Sequence, residues 1–265
     1  MTFDQLEFVA RKLPEPKAEV GRPAYTNLEL LPGILKVLRS GSRWRDLDQK
    51  DYPSGVTHWR RLRFWQKYQG FISFWHCLLK LLVGKTGLAL KFVSIDGTLI
   101  PSFAFADTTS YSGKHHKTGT KVSLIVDENG LPLASETACG STHDISLAPQ
   151  TISKIPASIG CQIKTMLADK GYDSSAFRNF LKENGMSSDI PKRELPIVYR
   201  QRILQQNLKK RKNHKANVKR FVVERTNAWT KSFRRLRFRF DYSMLSFSAF
   251  LNLAFVVICV RKLLS

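Results

Sequence analysis

Three carboxylates stand out in a chain that is otherwise strongly basic. Asp96 lies inside an apolar run, KFVSIDGTLI, flanked by Ile95 and Gly97. Asp169 closes a second apolar run, KTMLA, and precedes Lys170-Gly171-Tyr172. Glu224 is the only acid between Arg200 and Phe240, a window that holds fifteen lysines and arginines. Taken singly, each acid has an ordinary use as an ion-pair partner for the cations around it. Carried together on three separate elements, they have another. They offer hard oxygen ligands that can share two divalent cations, as two-metal phosphoryl transfer requires.

The surroundings of Glu224 add geometry. Arg220 lies four residues before it and Lys231 seven after. In an α-helix, at about 100° per residue, all three project from one face on successive turns. An acid that holds a cation between two bases that hold phosphates would make a phosphate-handling surface. The other use of this spacing is an i,i+4 ion pair between Arg220 and Glu224 on a solvated face.

The elements that must position these residues follow from periodicity. KFVSIDGTLI reads as a strand, and KVSLIVDENGLPLASETA reads as two strands joined by Glu128-Asn129-Gly130. A short strand at Lys164–Ala168 leads into Asp169. A helix near Ser174–Asn184 then carries Phe177, Phe180 and Leu181 and stops at Gly185. Asp189–Pro191 reads as one more strand. A long helix from about Asn217 to Phe240 and an apolar helix over Met244–Val260 complete the pattern. This alternation predicts a mixed α/β sheet layered with helices.

Before residue 90 the chain reads as helical and basic. Asn27–Leu38 has apolar residues at helical spacing, and Thr57 can cap the segment THWRRLRFWQKYQGF. In that segment Trp59, Leu62 and Trp65 fall on one face while Arg60, Arg61, Arg63 and Lys67 project elsewhere. A buried aromatic stripe with a basic outer surface suits DNA docking, and it also suits a packing helix that happens to be basic. The change of pattern near residues 86 to 91 marks a domain boundary. It divides a helical, basic region, 1–88, from an α/β region, 89–265.

Composition narrows the partners. The 265 residues include 43 Lys and Arg against 21 Asp and Glu, a formal charge of +22, and 43% are hydrophobic, enough to bury a real core. A field of that sign and size attracts polyanions, nucleic acid foremost. Cys77, Cys139, Cys161 and Cys259 are scattered without metal-ligand spacing, which suggests a reducing compartment rather than a zinc site or disulfide framework. The first residues, MTFDQLEFVARKLPEP, carry acids and no continuous apolar run, unlike a signal peptide. The apolar stretch Met244–Val260 is about a turn short of a membrane span and is interrupted by Ser246, Ser248 and Asn252, so a buried helix is expected.

In order and spacing, SIDGT, SGKHHKTG, KVSLIVDENGLPL, GSTHDISL, LADKGYDS and VKRFVVERTNAWTKSFRRLRFRF resemble short bacterial DDE transposases of the insertion sequence 5 family. Gly21–Pro23, VLRSGSRWRDL and YPSGVTHWRRLRFW resemble that family's helical N-terminal region, so nearly the whole chain is covered. The resemblance implies a ribonuclease-H-like catalytic domain in which Asp96, Asp169 and Glu224 hold two Mg²⁺ or Mn²⁺ ions. It also implies an enzyme that cuts transposon ends and joins their 3′-hydroxyls to target DNA. Arg220 and Lys231 match the family signature around the glutamate, whereas Asn217 stands where the signature has tyrosine. His143 and Asp144 match a His-Asp pair of structural or catalytic use.

DNA contacts are expected from Arg220, Lys231, Arg60, Arg61, Arg63, Arg234, Arg235, Lys114 and Lys117, with the Lys209–Lys212 stretch, Lys215, Lys219, Arg237 and Arg239 as further backbone contacts. The expected partners are double-stranded terminal repeats and target DNA, held by a homodimer in the bacterial cytoplasm beside the nucleoid and away from any membrane. A related metal-dependent nuclease, an inert transposase-derived DNA-binding protein and a membrane-associated basic protein are the competing readings.

Overall fold

The computed structural model describes residues 1–16, 24–85, 88–192 and 214–264, except for the side chains of 214–220. Four helices come first: α1 (Phe3–Lys12), α2 (Asn27–Ser40), α3 (Gly55–Lys67) and α4 (Gly70–Lys85). Their starts are chemically marked. Thr2 with Gln5 and Thr26 with Glu29 form capping boxes, satisfying backbone N–H groups that the first turn leaves free. Helix α3 is capped by Ser54 rather than by Thr57, which lies in the first turn and donates its N–H to the Ser54 hydroxyl. The segment read as one helix through Phe71 is two helices, because Gln69 adopts φ 53° between them.

A buried polar knot joins α1, α2 and α3. Asn27 Nδ2 donates to the carbonyls of Ala10 (3.1 Å) and Leu13 (2.8 Å), and Trp65 Nε1 donates to Pro14 O at 3.0 Å. Arg61, only 6% exposed, completes the knot, with Nη1 on Asn27 Oδ1 and Nη2 on Tyr25 O. This corrects the expectation that Arg61 faces DNA: its position on α3 is a core position, shared with His58, Leu62 and Trp65.

The sheet is mixed, as expected of a ribonuclease-H-like domain. Strand β1 (Phe92–Pro101) pairs antiparallel with β3 (Lys117–Val126). The other edge of β3 takes β2 (Ser110–Ser112) and β4 (Pro132–Cys139), both antiparallel. On the far side β1 pairs in parallel with β5 (Thr165–Leu167), and β5 in parallel with β6 (Ser187–Asp189). Strand β5 meets only Phe92, Val93 and Ser94 of β1. From Ile95 onward that edge of β1 has no strand neighbour among the described residues, and Asp96 lies there.

Helix α5 (Asp144–Ser153) covers one face of β1 and β3; a short helix, α6 (Ala157–Gly160), leads to β5, and α7 (Ser175–Glu183) connects β5 to β6. The opposite face takes α8 (His214–Ser232). The expected helix to Phe240 ends eight residues early, and a separate turn, α9 (Arg234–Arg237), follows. The sharp Gly130 turn between β3 and β4 (φ 88°) docks on α8: Thr226 Oγ1 donates to Gly130 O at 2.8 Å, and a Cβ at Gly130 would stand 2.7 Å from that hydroxyl. Glycine is required there by both conformation and space.

Helix α10 (Met244–Leu263) is long and apolar enough to cross a membrane by composition, yet here it is a core helix, 72% buried over its most apolar window. It packs on α3 and α4, with Phe255 against Trp75 at 4.9 Å, and Phe250 stacks at 5.5 Å on Trp44, in the short turn Trp44–Asp46 before α3. Each such side chain buried contributes about 1.5–3 kcal/mol. The helices before residue 86 and the sheet after it therefore share one continuous core.

Candidate active site

Strand alternation sorts β1 into two sets of side chains. Asp96 and Thr98 face α8, whereas Gly97 faces α5. From α8, Asn227 Nδ2 donates to Asp96 Oδ2 at 3.2 Å, and one turn later Lys231 Nζ donates to Thr98 Oγ1 at 2.5 Å. Glu224 precedes Asn227 by three residues on the same helix and is solvent-exposed. The helical face expected from spacing therefore exists for Glu224 and Lys231. The side chains of Arg220 and Asn217, and the basic residues Lys209–Lys212, Lys215 and Lys219, lie outside the described side chains. Asn227 was missed by the sequence reading; its only signal was its place between Glu224 and Lys231 at helical spacing.

Asp169 follows β5, the strand beside Asp96. Its Oδ1 accepts from the Gly171 N–H at 2.6 Å, capping the turn Lys170–Tyr172. A Cβ on Gly171 would stand 2.7 Å from that oxygen, so the Lys-Gly-Tyr sequence leaves room for the carboxylate. The carboxyl of Asp96 is pushed up to about 6, first by burial and then by the negative charges of Asp144, Asp169 and Glu224, against a hydrogen bond from the Gly97 N–H. Burial lowers the Lys231 ammonium, and Asp96 partly opposes that shift.

A fourth acid, Asp144, enters from α5. Its Oδ1 lies 3.0 Å from the ammonium of Lys121, a β3 residue only 4% exposed, and its Oδ2 lies 3.8 Å from Lys114. His143, the residue before it, is exposed and makes no side-chain cap.

The fit to divalent cations can be judged from these groups. Among the described residues, no three His, Cys, Asp or Glu side chains close around one point at metal-ligand distance. The donor set is nonetheless the right one, all hard carboxylate oxygen. Asp96 is half-buried among like charges that a cation would neutralise. The hydroxyl of Tyr172, in a residue 1% exposed, is buried without a hydrogen-bond partner and feels Asp144, Asp96 and Asp169. Chemically these residues fit a hard divalent cation.

The expected DNA contacts divide. Arg60, Lys114, Lys117 and Arg234 are exposed, and Arg63 is half-buried over the Trp59 ring at 4.8 Å. Arg235 is a correction. It is 6% exposed and binds Asp241 through Nε (3.1 Å) and Nη2 (2.8 Å), so its fork is already filled. Arg239 is another: fully buried, it bonds Asp107, Thr120, Asp241 and Tyr242, joining the loop after β1 to the segment before α10. Arg237 remains exposed.

Comparison with known proteins agrees with the resemblance seen in the motifs. A family model described as "Putative transposase of IS4/5 family" matches residues 1–75. A Burkholderia cepacia protein named "Putative transposase for insertion sequence element IS402" is 32% identical over 153 residues, 55% of this chain and 64% of that one. Another from the same organism, "Insertion element IS402 uncharacterized 16.2 kDa protein", is 45% identical over 75 residues, 27% of this chain and 48% of that one. The chain thus spans less than two thirds of each relative's length. Among solved structures, the catalytic domain of Mos1 mariner transposase aligns at 10% identity over 63% of this chain and 91% of its own, with a TM-score of 0.30. A pre-cleavage Mos1 transpososome aligns at 12% identity over 94% and 82%, with a TM-score of 0.29. Likeness that slight carries no argument about the site. The family model for the transposase DDE domain matches residues 88–259, most of the chain, and the chain belongs to that family.

Proposed function

We propose that this protein cuts the ends of a mobile DNA element and joins the freed 3′-hydroxyl ends to target DNA, with Asp96, Asp169 and Glu224 as the ligands of two Mg²⁺ or Mn²⁺ ions. The observation that carries this reading is the half-buried Asp96 carboxyl on the open edge of β1, in the field of both Asp169 and Glu224. Membership of the DDE family supports it. Bound cations would stabilise the attacking and leaving oxygens of an in-line displacement. The chain's own residues do the positioning. The Asn227 amide orients Asp96, the Gly171 N–H orients Asp169, and Lys231 offers an ammonium beside the strand for a phosphate oxygen.

Arg60, Lys114, Lys117 and Arg234 are the exposed cations proposed to track the DNA backbone, with the half-buried Arg63 and, from its match to the family signature, Arg220 as further contacts. The proposed partners are double-stranded terminal inverted repeats and target DNA, held by two copies of the chain in the bacterial cytoplasm.

The test is a strand-transfer assay with Mg²⁺ or Mn²⁺ and the inverted repeats that flank the reading frame. Asp96→Ala, Asp169→Ala and Glu224→Ala are each expected to abolish cutting and joining while end DNA is still bound. Joining retained by any of the three refutes the triad. Cutting without joined product in the unaltered protein would make it a nuclease instead.

A further inference from the structure

The carboxylate of Asp144 reaches β1 from the face opposite α8, and the backbone is cut away to admit it. A Cβ at Gly97, the residue after Asp96, would stand 2.0 Å from Asp144 Oδ1 and 2.7 Å from its Cγ. Only glycine leaves space there for a carboxylate. Lys121 comes up beneath it from β3, almost wholly buried, with its ammonium 3.0 Å from Oδ1. That approach lies off the line of a hydrogen bond, and Oδ1 is a buried oxygen with no hydrogen-bond donor. The Tyr172 hydroxyl is also buried and unpartnered, in the turn Lys170–Tyr172 that packs against α5.

Buried polar atoms are nearly always hydrogen-bonded, and a group left unmade destabilises the fold. Two such atoms, one on α5 beside Gly97 and one in the turn packed against α5, call for a shared partner rather than two separate accidents. A hard cation with its hydration shell supplies that partner, since it attracts a carboxylate oxygen and its waters can bond a phenol. The ion pair with Lys121 explains how the fold tolerates another acid beside Asp96. A buried ammonium offsets charge that the chain would otherwise hold uncompensated.

Resting on the two-cation reading above, we propose that Asp144 is a fourth acidic member of this active site. It serves the divalent cation beside Asp96, with Lys121 and Gly97 holding it in place and the Tyr172 hydroxyl bonding to the same coordination shell.

Mn²⁺ binding by calorimetry on the full chain, without DNA, tests this independently of turnover. Asp144→Asn is expected to weaken Mn²⁺ binding by about 10- to 100-fold, the loss typical of groups that support metal ligands. Tyr172→Phe removes only an unbonded hydroxyl, so it should fold at least as well without Mn²⁺ and bind the ion roughly tenfold more weakly. A merely structural Asp144 would lower the melting temperature of Asp144→Asn and leave Mn²⁺ affinity unchanged, which overturns the proposal. Should Asp144→Asn not fold, unchanged affinity in Tyr172→Phe overturns it instead. Asp96→Asn separates the two readings: if that variant loses Mn²⁺ while Asp144→Asn does not, the triad stands and the fourth acid falls. If Asp96→Asn binds Mn²⁺ like the unaltered protein, the triad reading is the one refuted.

Discussion

Adding one methyl group beside Asp96 gives a severe test of how this site is packed. In Gly97→Ala the new Cβ would lie 2.0 Å from Asp144 Oδ1, so the carboxylate must retreat by roughly 1 Å or more to restore ordinary contact. Its 3.0 Å approach to Lys121 then opens beyond ion-pair distance. Lys121 is 4% exposed, so little water replaces the lost carboxylate. Parting a buried pair so that one charge is left uncompensated costs about 3–5 kcal/mol. Replacing glycine inside a strand returns about 0.5–1 kcal/mol by restricting the unfolded chain. The net loss is about 2–4 kcal/mol, measurable as a lower midpoint in urea at unchanged slope. The double variant Gly97→Ala, Asp144→Ala has no carboxylate to displace, so it should be no less stable than Asp144→Ala alone. A loss under about 1 kcal/mol in Gly97→Ala, or simple additivity in the double variant, would refute this account of the notch.

Other perturbations probe separate parts of the argument. Asn227→Ala removes the amide that orients Asp96 and should lower strand transfer about 10- to 100-fold while α8 still docks through Thr226. Replacing Arg239 by Met strands the acceptors of Asp107, Thr120, Asp241 and Tyr242, and should destabilise the fold by about 3–5 kcal/mol in urea titration. Removing the exposed Arg60 and Arg234 together should reduce the slope of log affinity for end DNA against log salt by about 1.8, or about 0.9 per phosphate contact, in filter binding or anisotropy. His58 is buried against Gly33, and burial holds its pKa below the usual imidazole range. Because the unfolded chain then binds the proton more readily, this contribution is complete above about pH 6.5 and is lost as pH falls toward the folded value. Melting from pH 7.5 to pH 5 should therefore fall more steeply for the unaltered protein than for His58→Asn.

Much of the proposed site stands out in the sequence because its acids break strong local patterns. Asp96 interrupts an apolar strand, Asp169 ends one, and Glu224 is alone in a basic window, so each was visible without knowing its neighbours. The strands β1, β3 and β4 announced themselves by apolar runs and a Glu-Asn-Gly turn. What failed to show lacked such contrast. Helix α5 carries Pro149 in its middle and begins in the polar stretch GSTHD, so neither propensity nor periodicity marks it. Strand β2 is three residues of Ser-Tyr-Ser, defined only by its partner β3. The break after Ser232 has no glycine or proline to announce it; beyond it Arg235 is buried on Asp241 and the Ser42 carbonyl, contacts that no local pattern marks. Arg61 and Arg235 look like surface cations in sequence because nothing local reveals that Asn27 and Asp241 await them.

The placement of α10 has a consequence for how the molecule is made. Helices α3 and α4 bury their apolar sides against a segment that begins at Met244, about 160 to 190 residues later in the chain. Until that segment arrives, the sides of α3 and α4 that face it lack their partner. The entropy of closing so long a loop must be met before the contact rewards it. Synthesis therefore passes through a long interval in which a greasy, positively charged half-protein is exposed to aggregation and to chance polyanions. The same helix that fuses the two regions into one core makes them fold late, and together.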